Sequence, residues 1–161
     1  MPRSSLRIRI LLLLALAVLS AYFLASSASH YVEVYRAIYS VKVSVLSIIY
    51  NVDFGKRVGR VNIIIKIENP SNREVEFIGG EGKIYLNGKY LGSLMFYAGE
   101  GVPVPPKAIN FTITGIASIP DPYFRILEYA IDKGEFNWLV EAWIHFKIDI
   151  HVTIVKCYGE L

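Results

Sequence analysis

Residues 60–96, RVNIIIKIENPSNREVEFIGGEGKIYLNGKYLGSLMF, decide the fold. Val61, Ile63, Ile65 and Ile67 alternate with Arg60, Asn62, Lys66 and Glu68, the two-residue period of a strand with one buried face, and Ile64 interrupts its polar side. Asn69-Pro70-Ser71-Asn72 stops that strand, because proline removes a ladder donor and biases Asn69 toward an extended conformation, while Asn and Ser bond back to nearby backbone. Val75 and Phe77 restart the alternation, and Gly79-Gly80 is expected to break it. Lys83 to Leu86 is then predicted to meet Lys89 to Phe96 across Asn87-Gly88, a pair suited to a tight hairpin turn in which both central residues take positive φ.

This order of strand, Asn-Pro-Ser-Asn, strand and Leu-Asn-Gly-Lys-Tyr-Leu-Gly resembles the water stress and hypersensitive response (WHy) domain of group 2 late embryogenesis abundant proteins. Val102 to Pro106, Val-Pro-Val-Pro-Pro ahead of an alternating strand, is similar to the same family, and the likeness covers roughly residues 40–155, about one ordinary domain. Asn69, Pro70, Asn87 and Gly88 are its turn residues. The resemblance implies a small β-sandwich with a protective or binding role and no recognised catalytic residue to carry over.

Upstream, residues 10–28 (ILLLLALAVLSAYFLASSA) carry no formal charge and come close to the roughly 20 apolar residues that cross a bilayer as a helix. Arg3, Arg7 and Arg9 precede them, which puts the N-terminus in the cytoplasm and the domain outside. Ser26-Ser27-Ala28 offers small residues for a signal peptidase, so secretion after cleavage near Ala28 is the alternative to a retained, single-pass anchor. The retained anchor is favoured because the run exceeds a signal-peptide core. Ala17, Ala21 and Ala25 would let two such helices approach, but lipid-facing alanine is the preferred reading of them. Residues 1–29 are therefore read as cytoplasmic tip and anchor, 30–39 as a membrane-proximal spacer, and 40–161 as the β domain. The spacer either continues the helix, aligning Tyr31, Tyr35 and Tyr39, or runs extended.

Val41, Val43 and Val45 open the sandwich, and a phase slip between Val45 and Ile48 predicts a bulge. Gly99 to Lys107 is expected to be a loop. Ala108 to Gly115 is expected to be a strand with Ile109, Phe111 and Ile113 inward and the N-glycosylation sequon Asn110-Phe111-Thr112 outward. Asp121-Pro122 reads as N-cap and first residue of the domain's one helix, with Phe124, Leu127 and Ile131 inward and Gly134 as its stop; some members of the resembling family also carry a helix between late strands. Trp138 to Tyr158 alternates throughout, with Ala142, Ile144, Phe146, Ile148, Ile150, Val152 and Ile154 on one face. Such a length requires a bend or service to more than one ladder. The fold class is an immunoglobulin/fibronectin-III-like antiparallel β-sandwich of about seven strands in two sheets with one helix, preceded by a transmembrane helix.

Composition narrows the function. Charged residues are only 19%, a low share that a membrane segment helps to explain. Of 17 Lys and Arg, 3 precede the apolar run, leaving 14 against 14 Asp and Glu; the domain is neutral and lacks the basic stripe of a nucleic-acid binder. Cys157 is the single cysteine, expected as a small buried hydrophobe, so no internal disulfide and no cysteine-built zinc site can form. Glutamine is absent, a scarcity of thermolabile side chains seen in thermophile proteins.

His145, Asp149 and His151 share one face of the last strand, but neighbours there lie nearly 7 Å apart and Lys147 would repel a cation, so no metal site is assigned. Gly79-Gly80-Glu81-Gly82 lacks the lysine of a phosphate loop, and no Gly-x-Ser-x-Gly elbow occurs. The expectation is a non-enzyme without cofactor, with the bilayer as partner through residues 10–28 and contact with an unknown protein or self-assembly beyond it. Contact is expected through an exposed sheet edge or the Gly99 to Lys107 loop. The alternative is a subunit of a surface fibre or envelope complex built by strand addition, with dispersed hydrolase residues as a remote third reading.

Overall fold

The computed structural model describes the backbone of residues 3–149 and 151–160, and the side chains of residues 8–37, 39–149 and 152–160. The chain forms two compact units, Met1–Arg36 and Ala37–Leu161. The helix α1 (Arg3–Ser40) continues through the apolar run and the tyrosine-bearing spacer, so residues 30–39 are helical and not extended. Its segment Ile8–Ala37 is, among the described residues, the one helix long and apolar enough to cross a membrane. Met1 and Pro2 and the side chains of Arg3 and Arg7 lie outside the described residues.

The second unit is built on β1 (Lys42–Asp53), β2 (Val58–Asn69), β3 (Val75–Leu86), β4 (Lys89–Phe96), β5 (Val102–Val104), β6 (Ala108–Ile119), the helix α2 (Asp121–Lys133), β7 (Trp138–Ile148) and β8 (His151–Glu160). All ladders are antiparallel. The strands form one curled sheet in the order β1-β2-β6-β4-β3-β7-β8, with β5 on the side of β3. Two sheets were the expectation; a short ladder of Leu94–Phe96 against Gly115–Ala117 instead joins the two halves of the sandwich into a single sheet. Val61, Ile63, Ile65 and Ile67 have no exposed surface, and Ile84, Leu86, Val140, Ile144 and Phe146 are equally enclosed from the other half. Each such side chain contributes about 1.5–3 kcal/mol by leaving water.

Several turns follow the sequence directly. The register between β1 and β2 slips between Val45 and Ser47, where the period breaks. Asn87 (φ 51) and Gly88 (φ 74) take the positive angles that a two-residue hairpin demands. In α2, proline opens the helix, Gly134 ends it at φ 68, and Phe124, Leu127 and Ala130 are buried. The cap is Pro120, not Asp121, whose carboxylate instead meets Arg57 Nε at 3.0 Å. Ala130 takes the buried place expected for Ile131, which is half-buried.

Gly79-Gly80 breaks the alternation inside β3: Gly79 adopts φ 136 in a bulge, the buried positions change from Val75 and Phe77 to Gly82, Ile84 and Leu86, and a Cβ on Gly80 would fall 2.9 Å from the Trp143 carbonyl, so the glycines also let β3 and β7 close up. Three expectations are corrected. The Gly99 to Lys107 segment is not all loop, since β5 pairs with Val75–Phe77 and buries Val104. Ile109 is 69% exposed because Ile109 and Asn110 together oppose Glu68 in a bulge between the Ile67–Phe111 and Asn69–Ala108 pairs, which breaks the inward phase; Phe111 and Ile113 are half-buried. The terminal strand is a hairpin, with Ile148 paired to His151 and Asp149 at φ 53. Reversal puts Cys157 inside and leaves Val152 and Ile154 exposed at 60% and 57%. Ile150 lies outside the described residues.

Candidate contact surface

Asn69 is fully buried, and its side chain unites two motifs that the sequence keeps far apart. Its Nδ2 donates to the carbonyls of Arg73 (2.8 Å), Val104 (3.3 Å) and Pro105 (3.0 Å), while Oδ1 accepts from the Ser71 amide (3.2 Å) and hydroxyl (2.7 Å). Lys107 completes the clamp, its amide donating to Ser71 O at 3.1 Å and its Nζ to Pro70 O at 3.0 Å. A buried amide left without these partners would cost more than any one bond gains. The Asn-Pro-Ser-Asn turn and the proline segment are thus one rigid corner. Asn87 plays a similar part, exchanging bonds with Asn137 and donating to the Glu135 carbonyl, so that the hairpin turn fastens the segment after α2. Gly88 has open space around it. These turn residues work on the fold and leave no reactive group exposed.

The polar face of β7 is held by ion pairs. Lys147 Nζ lies 3.5 Å from Glu76 Oε2, and Arg73 Nη2 lies 3.6 Å from Asp149 Oδ2. His145 is half-buried on that face, and the His151 side chain lies outside the described residues. Among the described residues no three His, Cys, Asp or Glu side chains converge. Asn110 and Thr112 are exposed on β6, as the sequon requires.

The sequence does not foretell the surface formed where β4, β6 and the start of α2 meet. Tyr90, Ser93, Met95, Ile116, Ser118 and Tyr123 line a shallow cleft of about 350 Å³, closed by Gly92 and Pro120 and bearing no charged side chain. The Tyr90 and Tyr123 rings stand edge to face, 5.4 Å apart at 88°, and the Tyr90 hydroxyl lies 2.9 Å from Ser93 Oγ. Met95, Ile116 and nearby Tyr97 are 59%, 49% and 88% exposed. An aromatic and aliphatic hollow with a few hydroxyls suits an uncharged, partly apolar partner. Its residues come from three segments with no common period, which is why strand patterning alone misses it. A larger hollow of about 440 Å³ between the hairpin turn and α2 is lined by Lys89, Arg125 and Glu135, and its Asn87 is already committed to the fold.

No family model matches the chain, and no curated protein matches it. Similar solved structures include a protein from Archaeoglobus fulgidus (18% identity, TM-score 0.47, 76% of this chain and 94% of that one). A provisionally assigned ApaA protein from Bordetella pertussis is similar at 15% identity and TM-score 0.47, covering 76% of this chain and 90% of that one. A provisionally assigned late embryogenesis abundant (LEA) protein is similar at 9% identity and TM-score 0.45, covering 89% of this chain and 82% of that one.

Proposed function

We propose that the chain is a non-catalytic, membrane-anchored domain of WHy type that acts outside the cytoplasm by contact, holding a partner protein under stress. The observation that carries this reading is the apolar helix segment Ile8–Ala37 on a chain whose three N-terminal arginines favour a cytoplasmic start. The turn motifs at Asn69 and Asn87 support the family. The uncharged cleft between Tyr90 and Tyr123 supports contact at an exposed part of the sheet, whereas the proline segment is largely spent on the corner that Asn69 organises.

A photo-reactive amino acid at Ile116, introduced into the full chain in its native membrane, tests this. The expected result is a discrete adduct with one protein, weakened by Tyr123→Ala and missing when the probe stands at exposed Asn51. Hydrolytic turnover abolished by one substitution at His145, His151 or a serine would overturn the non-catalytic reading. A second reading, a fibre or envelope subunit, draws on the half of β6 beyond the short β4 ladder, which is paired on one side only and leaves Phe111 and Ile113 half-buried. A ladder of assemblies in detergent extracts would favour that subunit.

A further inference from the structure

We infer that Asn110 carries an N-linked glycan, whose first sugars cover Ile109 at the open edge of β6. The chain holds one Asn-x-Ser/Thr triplet without proline at the middle position, Asn110-Phe111-Thr112. Asn69-Pro70-Ser71 resembles it, but its proline disqualifies it and its asparagine is buried and bonded on both side-chain atoms. Asn110 and Thr112 are both exposed, and among the described residues no hydrogen bond engages the Asn110 amide.

A regular central strand is a poor acceptor because both its edges are held. Here Ile109 and Asn110 bulge out opposite Glu68, and this half of β6 has a ladder only to β2. Just upstream, Lys107 sits at φ 61, at the end of the proline segment. The acceptor amide can therefore reach a transferase without unpairing a second strand. Beside it Ile109, 69% exposed, offers an apolar surface for the glycan to cover. In the transfer, Asn110 Nδ2 bonds to the anomeric carbon of a lipid-phosphate-linked oligosaccharide. The bond from that carbon to the phosphate oxygen breaks, the lipid phosphate leaves with the electron pair, and the amide releases one proton to a base of the transferase.

The inference rests on the domain lying outside the cytoplasm. Peptide mass analysis of the full chain from its native membrane, paired with protease added to intact cells, tests the two separately. A sugar mass on the Asn110 peptide is expected, kept in Thr112→Ser and lost in Asn110→Gln and Thr112→Ala. Bare Asn110 in a protease-accessible domain overturns the glycan and leaves the topology standing. A bare and protected domain overturns both. A sugar mass that survives Asn110→Gln overturns the assignment to this residue.

Discussion

Gly159 on β8 lies against Val45 on β1, and a Cβ built on residue 159 would fall 2.5 Å from Val45 Cβ. These are the two end strands of the sheet, and among the described residues no ladder joins them. The sheet therefore curls shut at this point by side-chain fit, at the same place where β1 bulges between Val45 and Ser47. Gly159→Ala should cost about 1–3 kcal/mol through overpacking. Thermal unfolding of the full chain in lipid nanodiscs measures it, with Gly55→Ala, whose nearest neighbour is Asp53 Oδ1 at 3.4 Å, as a control expected to lie within about 0.5 kcal/mol of the parent. Equal effects from both substitutions would show that the seam is loose.

Asn69→Ala should destabilise the β unit by about 2–3 kcal/mol, because the carbonyls of Arg73, Val104 and Pro105 lose a shared donor inside the fold. Asn69→Asp keeps the acceptor for Ser71 but turns a carboxylate toward those three carbonyls, and should be at least as damaging. Hydrogen exchange should report faster opening of β5 in both variants before the rest of the sheet yields. A loss below about 0.5 kcal/mol in Asn69→Ala would refute the corner.

Burial raises the pKa of the Cys157 thiol above its ordinary value. An unfolded thiol ionises near ~8.5, while the folded one keeps its proton to higher pH. Between the unfolded and the folded ionisation the folded state binds more protons than the unfolded state, so this group's contribution is fully present at lower pH and is lost as pH rises through that window. Cys157→Ala should flatten the alkaline fall in stability relative to the parent. In the folded parent, iodoacetamide at neutral pH should leave Cys157 unmodified until denaturant is added; rapid labelling without denaturant would contradict its burial.

The anchor reading makes a separate demand on the N-terminus. The purified protein should begin at Met1 or Pro2, stay with membranes at high salt and alkaline pH, and lose its β unit to protease added to intact cells. A mature N-terminus near Ser29 would identify residues 1–28 as a cleaved signal.

What could be read from sequence was whatever a local pattern marks on its own strand. The bulge after Val45 shows as a slipped period, and Asn87-Gly88 states its turn through the residues it uses. The bulge at Ile109 and Asn110 is invisible because the alternation runs on unbroken through Phe111 and Ile113, and only the extra residue opposite Glu68 on another strand displaces it. The turn at Asp149 escapes for a related reason. The apolar even-numbered residues run on through Ile150, Val152 and Ile154 in the sequence although pairing Ile148 with His151 moves the buried face to the odd-numbered residues, and the two-residue link contains no glycine or proline to mark the reversal. The Tyr90–Tyr123 cleft and the bonds from Asn69 to Val104 and Pro105 depend on which distant segments meet, information that no single period carries.

The short ladder between β4 and β6 also sets how this domain would bear tension. Only Val41 separates α1 from β1, so a pull resisted by an embedded helix enters the sheet at its first strand. Among the described residues no ladder shortcuts that strand to β8, where only the side-chain seam at Val45 and Gly159 meets it, and the hydrogen-bonded path runs through β2 and β6 and across Leu94–Phe96 to β4, β3, β7 and β8. Every other link on that path pairs far more backbone. Under force the domain should part there first, into one leaf that stays with the anchor and another that stays with whatever is gripping it.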